Sequence, residues 1–121
     1  MELTPEMAAG YVGGQIEVQN QGEGYYYRGE IATATVEGTG DNATFKATLN
    51  WMAKGVGSPL PSRLVSDTRL TYKASLSIYH VSVIRDGRIL LQSPIVGEIV
   101  VLFPPNGSKL DPSKVEGLNL G

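Results

Sequence analysis

Tyr25-Tyr26-Tyr27-Arg28 is the segment of this chain best suited to recognition chemistry. Aromatic rings beside a guanidinium can stack on a base, cage a cation or anchor a peptide. In an extended segment Tyr25 and Tyr27 share one face, and Tyr26 joins Arg28 on the other. The bland reading is β-propensity and core packing. Trp51 is in phase with Phe45 and Leu49. That spacing predicts a core indole, and its place at a strand end leaves it room for a rim role. A second constellation is basic. Residues 54–88 carry a net +4, against −5 for 1–53 and −1 for 89–121, for a total of −2. Arg69, Lys73, Arg85 and Arg88 form a nucleic-acid face if the fold gathers them. If strands interleave, the same charges are diluted among acids.

Catalytic chemistry finds little material. There is no cysteine, which removes thiolate nucleophiles, disulfides and thiolate metal sites. One histidine, His80, leaves no partner for a His-rich metal centre, and no metal or cofactor is expected. Nothing of the form Gly-x-Ser-x-Gly exposes a serine. Gly22-Glu23-Gly24 lies ahead of a strand, where a dinucleotide loop would open a helix, and no Gly-Lys-Ser/Thr supplies a phosphate loop. The longest aliphatic or aromatic run, Ile99 to Phe103, is far short of the ~20 residues of a membrane helix. The start Met1-Glu2-Leu3-Thr4 lacks a basic region and an apolar stretch, which predicts a cytoplasmic protein.

The elements that must position these residues are mostly β. The chain of 121 residues reads as a single domain, with 15 glycines and 7 prolines punctuating β-branched segments. Thr4, Pro5 and Glu6 open a short N-terminal helix within 1–12, which Gly13-Gly14 ends. Strands follow at 15–19, 25–37 and 43–51. In the last of these, Ala43, Phe45, Ala47, Leu49 and Trp51 occupy one face. Gly29 permits a bulge. The Gly- and Pro-containing stretch 54–68 predicts a long loop, a functional or mobile candidate that would contact the same peptide or protein as Tyr25 and Tyr26. Leu70 to Val83 alternates with a phase slip near 78–80. Asp86-Gly87 marks a hairpin returning through Ile89-Leu90-Leu91. The strand 97–103 is apolar on both faces, so it is covered on both sides or makes a subunit contact.

Six short strands in a meander close most economically into a small barrel or roll over 13–105, followed by an irregular tail at 106–121. The Gly/Pro content of 54–61 argues against the helix an OB-fold places between its third and fourth strands, so an SH3-like barrel is expected. The function that follows is non-catalytic binding of a protein or peptide through Tyr25, Tyr26, Tyr27, Arg28 and Trp51, with no membrane involvement. The rivals are nucleic-acid binding by the 54–88 segment and a homo-oligomer held through 97–103.

Overall fold

The computed structural model describes residues 3–58, 60, 62–65, 68–73, 79–93, 98–103 and 118–119. The chain opens with a 3-10 helix over Pro5–Tyr11, with Pro5 in its first turn. The strands are β1 (Gln15–Asn20), β2 (Tyr25–Glu37), β3 (Thr44–Val56), β4 (Ser62–Val65), β5 (Thr68–Lys73), β6 (Tyr79–Arg85), β7 (Arg88–Gln92), β8 (Glu98–Phe103) and β9 (Leu118–Asn119). They form one mixed sheet in the order β5-β8-β3-β2-β1-β6-β7, with β4 also on β3 and β9 on β4. β8 runs parallel to β3, and β9 parallel to β4. The other pairings are antiparallel.

The sheet is open and curled, a half-barrel, and chain length helps to show why. Lys73 lies opposite Glu98, which lies opposite Thr44 at one end of β3. Tyr79 lies opposite Asn20, which lies opposite Tyr25 and so Val56 at the other end of β3. Were the sheet flat, those ends of β3 would be ~40 Å apart at ~3.3 Å per residue. Lys73 and Tyr79 are six positions apart in sequence, a reach of at most ~22 Å. Only a coiled sheet brings them within that reach. Gln92 and Glu98 bridge the same opening.

The core lies on the concave side. Ile16, Val18, Ile31, Phe45, Leu49, Met52, Val81, Val83, Leu91 and Ile99 are buried there. The 3-10 helix plugs it with Ala8 and Tyr11, and Leu3 just before the helix is buried with them. The Tyr11 and Phe45 rings meet edge-to-face at 5.4 Å. The backbone past the helix continues the β1–β2 ladder, because Gly13 N donates to Ile31 O and Ile31 N to Gly14 O, each at 2.9 Å. β8 is flanked by β3 and β5, with Ile99 and Val100 both buried. A subunit contact through this strand therefore has no free edge to use over its paired length.

Several expectations change. The sheet stays open where a closed barrel was expected, it is mixed rather than a meander of hairpins, and β9 lies in the stretch expected as an irregular tail. The alternation through Ala43–Leu49 does not carry on to Trp51. Glu30 pairs with Trp51 and Ile31 with Leu49, so Asn50 is an extra residue in β3. Ile31 pairs with Leu49 and Thr33 with Thr48, so Ala32 is a compensating extra residue in β2. An added residue turns the following side chains to the opposite face. Met52 therefore joins the core cluster and Trp51 does not. The stretch expected as a loop is also shorter. β3 continues to Val56 and β4 occupies Ser62–Val65, because Met52, Lys54 and Val56 resume period two in the shifted phase. Of the expected phase slip at 78–80, residue 78 lies outside the described residues, while Tyr79 and His80 pair in register with Asn20 and Gln19; the irregularity described in β6 and β7 falls between Val83 and Ile84.

Candidate binding site

Residues directly opposite on neighbouring antiparallel strands share a face. Along β2 and β3, Tyr25 opposes Val56, Tyr27 opposes Lys54 and Gly29 opposes Met52. These residues lie on the core side, so Tyr25, Tyr27, Lys54 and Val56 line its end away from Phe45 and the helix. Tyr27 is half-buried against the core. The Tyr25 and Tyr27 rings meet at 6.4 Å between centroids with an interplanar angle of 63°. Lys54 Nζ sits 3.8 Å from the Tyr25 centroid and 5.7 Å from that of Tyr27. A cation over a ring face is attracted by its quadrupole, by ~0.5–1 kcal/mol at an exposed site. Val56 beside this cluster is 73% exposed. The result is an ordered aromatic platform with an ammonium on top and an aliphatic rim.

The other face of the same strands is polar. Tyr26 opposes Gly55, Arg28 opposes Ala53, and Glu30 opposes Trp51. The Gln19 side-chain amide donates to the Tyr26 hydroxyl at 2.7 Å. The Asn50 amide donates to Glu30 Oε1 at 2.8 Å, which ties the extra residue of β3 to β2. Arg28 is 8% exposed and engaged within the fold. Glu17 lies directly opposite it on β1. Burying a guanidinium costs much less beside carboxylates, and Arg28 has Glu17 across the ladder and Glu30 two residues along on the same face. Trp51 is 5% exposed here, buried on this face rather than in the core. A shallow depression of about 130 Å³ on this side is lined by Glu17, Gln19, His80, Ser82, Gln92 and their neighbours.

The triple tyrosine is therefore split as its spacing predicts. Tyr25 and Tyr27 point one way, Tyr26 and Arg28 the other, and no single ligand surface takes all four with Trp51. The basic constellation is divided too. Arg85 and Arg88 oppose each other at the β6–β7 turn. There Arg85 Nη1 donates to Gly10 O at 3.3 Å, and Arg85 Nε lies 3.8 Å from Asp86 Oδ2. These residues border an open depression of about 420 Å³ with Leu90. Arg69 and Lys73 stand on β5, at the far end of the sheet path; their side chains lie outside the described residues.

The stretch 54–68 is expected from the sequence to share in the contact as a loop, but Lys54 and Val56 belong to β3, and neither residue stands out singly in the sequence. Their signal was their place two and four residues after Met52, hidden by the phase change at Asn50. Among the described residues no group of three His, Asp or Glu side chains is placed to hold a metal ion, and no helix is long and apolar enough to cross a membrane. Comparisons with family models, curated proteins and solved structures found no match to this chain.

Proposed function

We propose that this protein works by binding a protein or peptide, and that the contact is centred on Tyr25, Tyr27, Lys54 and Val56. The observation that carries this reading is the Lys54 ammonium over the Tyr25 ring. It holds a partly exposed aromatic pair in one arrangement, so little side-chain entropy is lost on docking. Tyrosine is enriched at the energetic centres of protein interfaces because its ring gives a large, stiff contact area with a polar tip. The polar face with Tyr26, Arg28 and Trp51 supports the platform from behind. The half-barrel, on this proposal, is closer to an SH3-like than to an OB-like barrel. Only residues 57–61 separate β3 from β4, too few for an intervening helix.

A photo-crosslinker placed at Val56 should capture a partner from native lysate. The partner is then purified and its affinity measured directly. Tyr25→Ala should weaken binding by about tenfold or more, as for a residue at the centre of an interface. Ile89→Thr, on the distant β6–β7 hairpin, should leave affinity unchanged. Equal losses at both sites, or capture that nuclease treatment abolishes, would refute the reading.

A further inference from the structure

We infer that the segment bound at this platform is acidic, and that a carboxylate of the partner is received between Lys54 and Arg63. The inference rests on the binding reading above and adds the chemistry of the partner. Its basis is the register of β3 with β4. Lys54 lies directly opposite Arg63, as it lies opposite Tyr27 on its other side. Tyr27, Lys54 and Arg63 therefore form one row on one face. Like charges directly opposite on neighbouring strands are destabilising. The Lys54 side chain responds by reaching toward β2, over Tyr25, away from β4. Arg63 stays exposed. Among the described residues, no carboxylate is within ion-pair distance of either cation. Among the described residues the row thus keeps a pair of positive charges with no carboxylate between them, at the rim of an aromatic platform.

A carboxylate between the two heads turns that repulsion into two attractive contacts. The Arg63 guanidinium offers a planar fork suited to carboxylate, and the Lys54 ammonium a point charge. The aromatic pair then packs the apolar part of the same segment. A nucleic acid fits less well. Lys54 covers one face of the Tyr25 ring and Tyr27 meets that ring edge-to-face, which obstructs the stacking surface a base needs. The chain as a whole is acidic, at −2, and a phosphate backbone needs a longer basic track than this pair.

The test is a titration of the intact protein followed by amide chemical shifts. The probes are a terminally blocked hexaglutamate peptide, the matching hexaglutamine peptide and a short oligothymidylate. Hexaglutamate should shift Tyr25, Tyr27, Lys54, Val56 and Arg63 saturably, and less so as salt is added. Hexaglutamine should bind at least about tenfold more weakly, since it offers no charge-assisted hydrogen bond. Arg63→Gln should weaken hexaglutamate by about fivefold, the upper range for an exposed ion pair.

Arg63→Glu supplies the sharper arm. It gives Lys54 an internal partner, so the melting temperature should hold or rise by about 1–4 °C while hexaglutamate binding is lost. Unchanged binding in Arg63→Glu, no response to hexaglutamate, or tighter binding of oligothymidylate at the same amides overturns the inference. Equal binding of hexaglutamine overturns it too, yet leaves the aromatic platform standing. Loss of partner binding in Tyr25→Ala tests the platform separately.

Discussion

Gly29→Ala adds one methyl group where the β3 backbone lies against β2, and its effect can be worked out from the contacts it would make. A Cβ on Gly29 collides with the Trp51 carbonyl oxygen and crowds the Leu49 side chain. The carbonyl belongs to the ladder next to the extra residue Asn50, so it cannot swing aside without breaking the pairing of Glu30 with Trp51. Overpacking of this kind costs ~1–3 kcal/mol. Any Gly→Ala change also stiffens the unfolded chain, which stabilises by ~0.4–1 kcal/mol where the native backbone accepts alanine. Gly10→Ala is the control for that second effect, because nothing lies within 4 Å of its added Cβ. Gly10→Ala should leave stability unchanged or raise it by up to ~1 kcal/mol. Gly29→Ala should fall below it by about 1–3 kcal/mol, the overpacking cost alone, since the stiffening is common to both. Urea unfolding of the two variants and the parent, with equal slopes, measures the difference. If Gly29→Ala lies within ~0.5 kcal/mol of Gly10→Ala, the close approach of the strands is not as described.

Other perturbations probe separate parts of the molecule. Phe45→Ala should cost about 3–5 kcal/mol, since the ring is fully buried. Lys46→Ala, its exposed neighbour, should stay within about ±0.5 kcal/mol in the same urea assay. Asp86 and Gly87 have φ of 53° and 74°, as a two-residue hairpin turn requires, so Gly87→Val should destabilise by more than ~1 kcal/mol in thermal unfolding. The buried Tyr11 hydroxyl finds no hydrogen-bond partner among the described residues. Tyr11→Phe should therefore be neutral or stabilising by up to ~1 kcal/mol. Burial raises the Tyr11 pKa above 10.0, so the folded state holds a proton that the unfolded chain releases. Stability linked to Tyr11 is then full below pH 10 and declines as pH rises through the folded value. That alkaline loss should be smaller in Tyr11→Phe, read from melting temperatures across the range.

The turns and short strands of this fold were largely legible in its residues. Asp86-Gly87 has one conformationally cheap use, and the structure has it there. The alternation of Ala43, Phe45, Ala47 and Leu49 left a single choice of inward face, and the division of Tyr25 and Tyr27 from Tyr26 and Arg28 followed from the two-residue period of a strand. What the sequence hid was non-local. The parallel pairing of β8 with β3 joins segments some fifty residues apart, and hairpin signals describe only neighbours in the chain. Trp51 and Lys54 were misplaced for a subtler reason. Asn50 is an ordinary polar residue on the outward phase of a regular strand, and nothing in its type marks it as extra. Its partner in the bulge, Ala32, is equally plain. The platform was half legible: the tyrosines stood out, whereas the lysine that orders them and the arginine opposite it did not.

The extra residues Ala32 and Asn50 act as a parity pair. Each reverses the sidedness of its own strand, and together they restore agreement between β2 and β3 over the remaining length. Removing Asn50 alone leaves Leu49 inward, Trp51 outward and Met52 inward, with Ala32 as a lone bulge that sets two residues of β2 against one of β3. Removing both leaves Ile31 opposite Leu49 and Thr33 opposite Thr48, with Met52 still inward: a straighter ribbon with every side chain on its original side. Length variation in this part of the chain is therefore allowed at these two positions, whereas a loss within a regular stretch of either strand turns the following side chains to the wrong face. A variant lacking Asn50 should fold, and one lacking Lys46 should not, in the same urea assay.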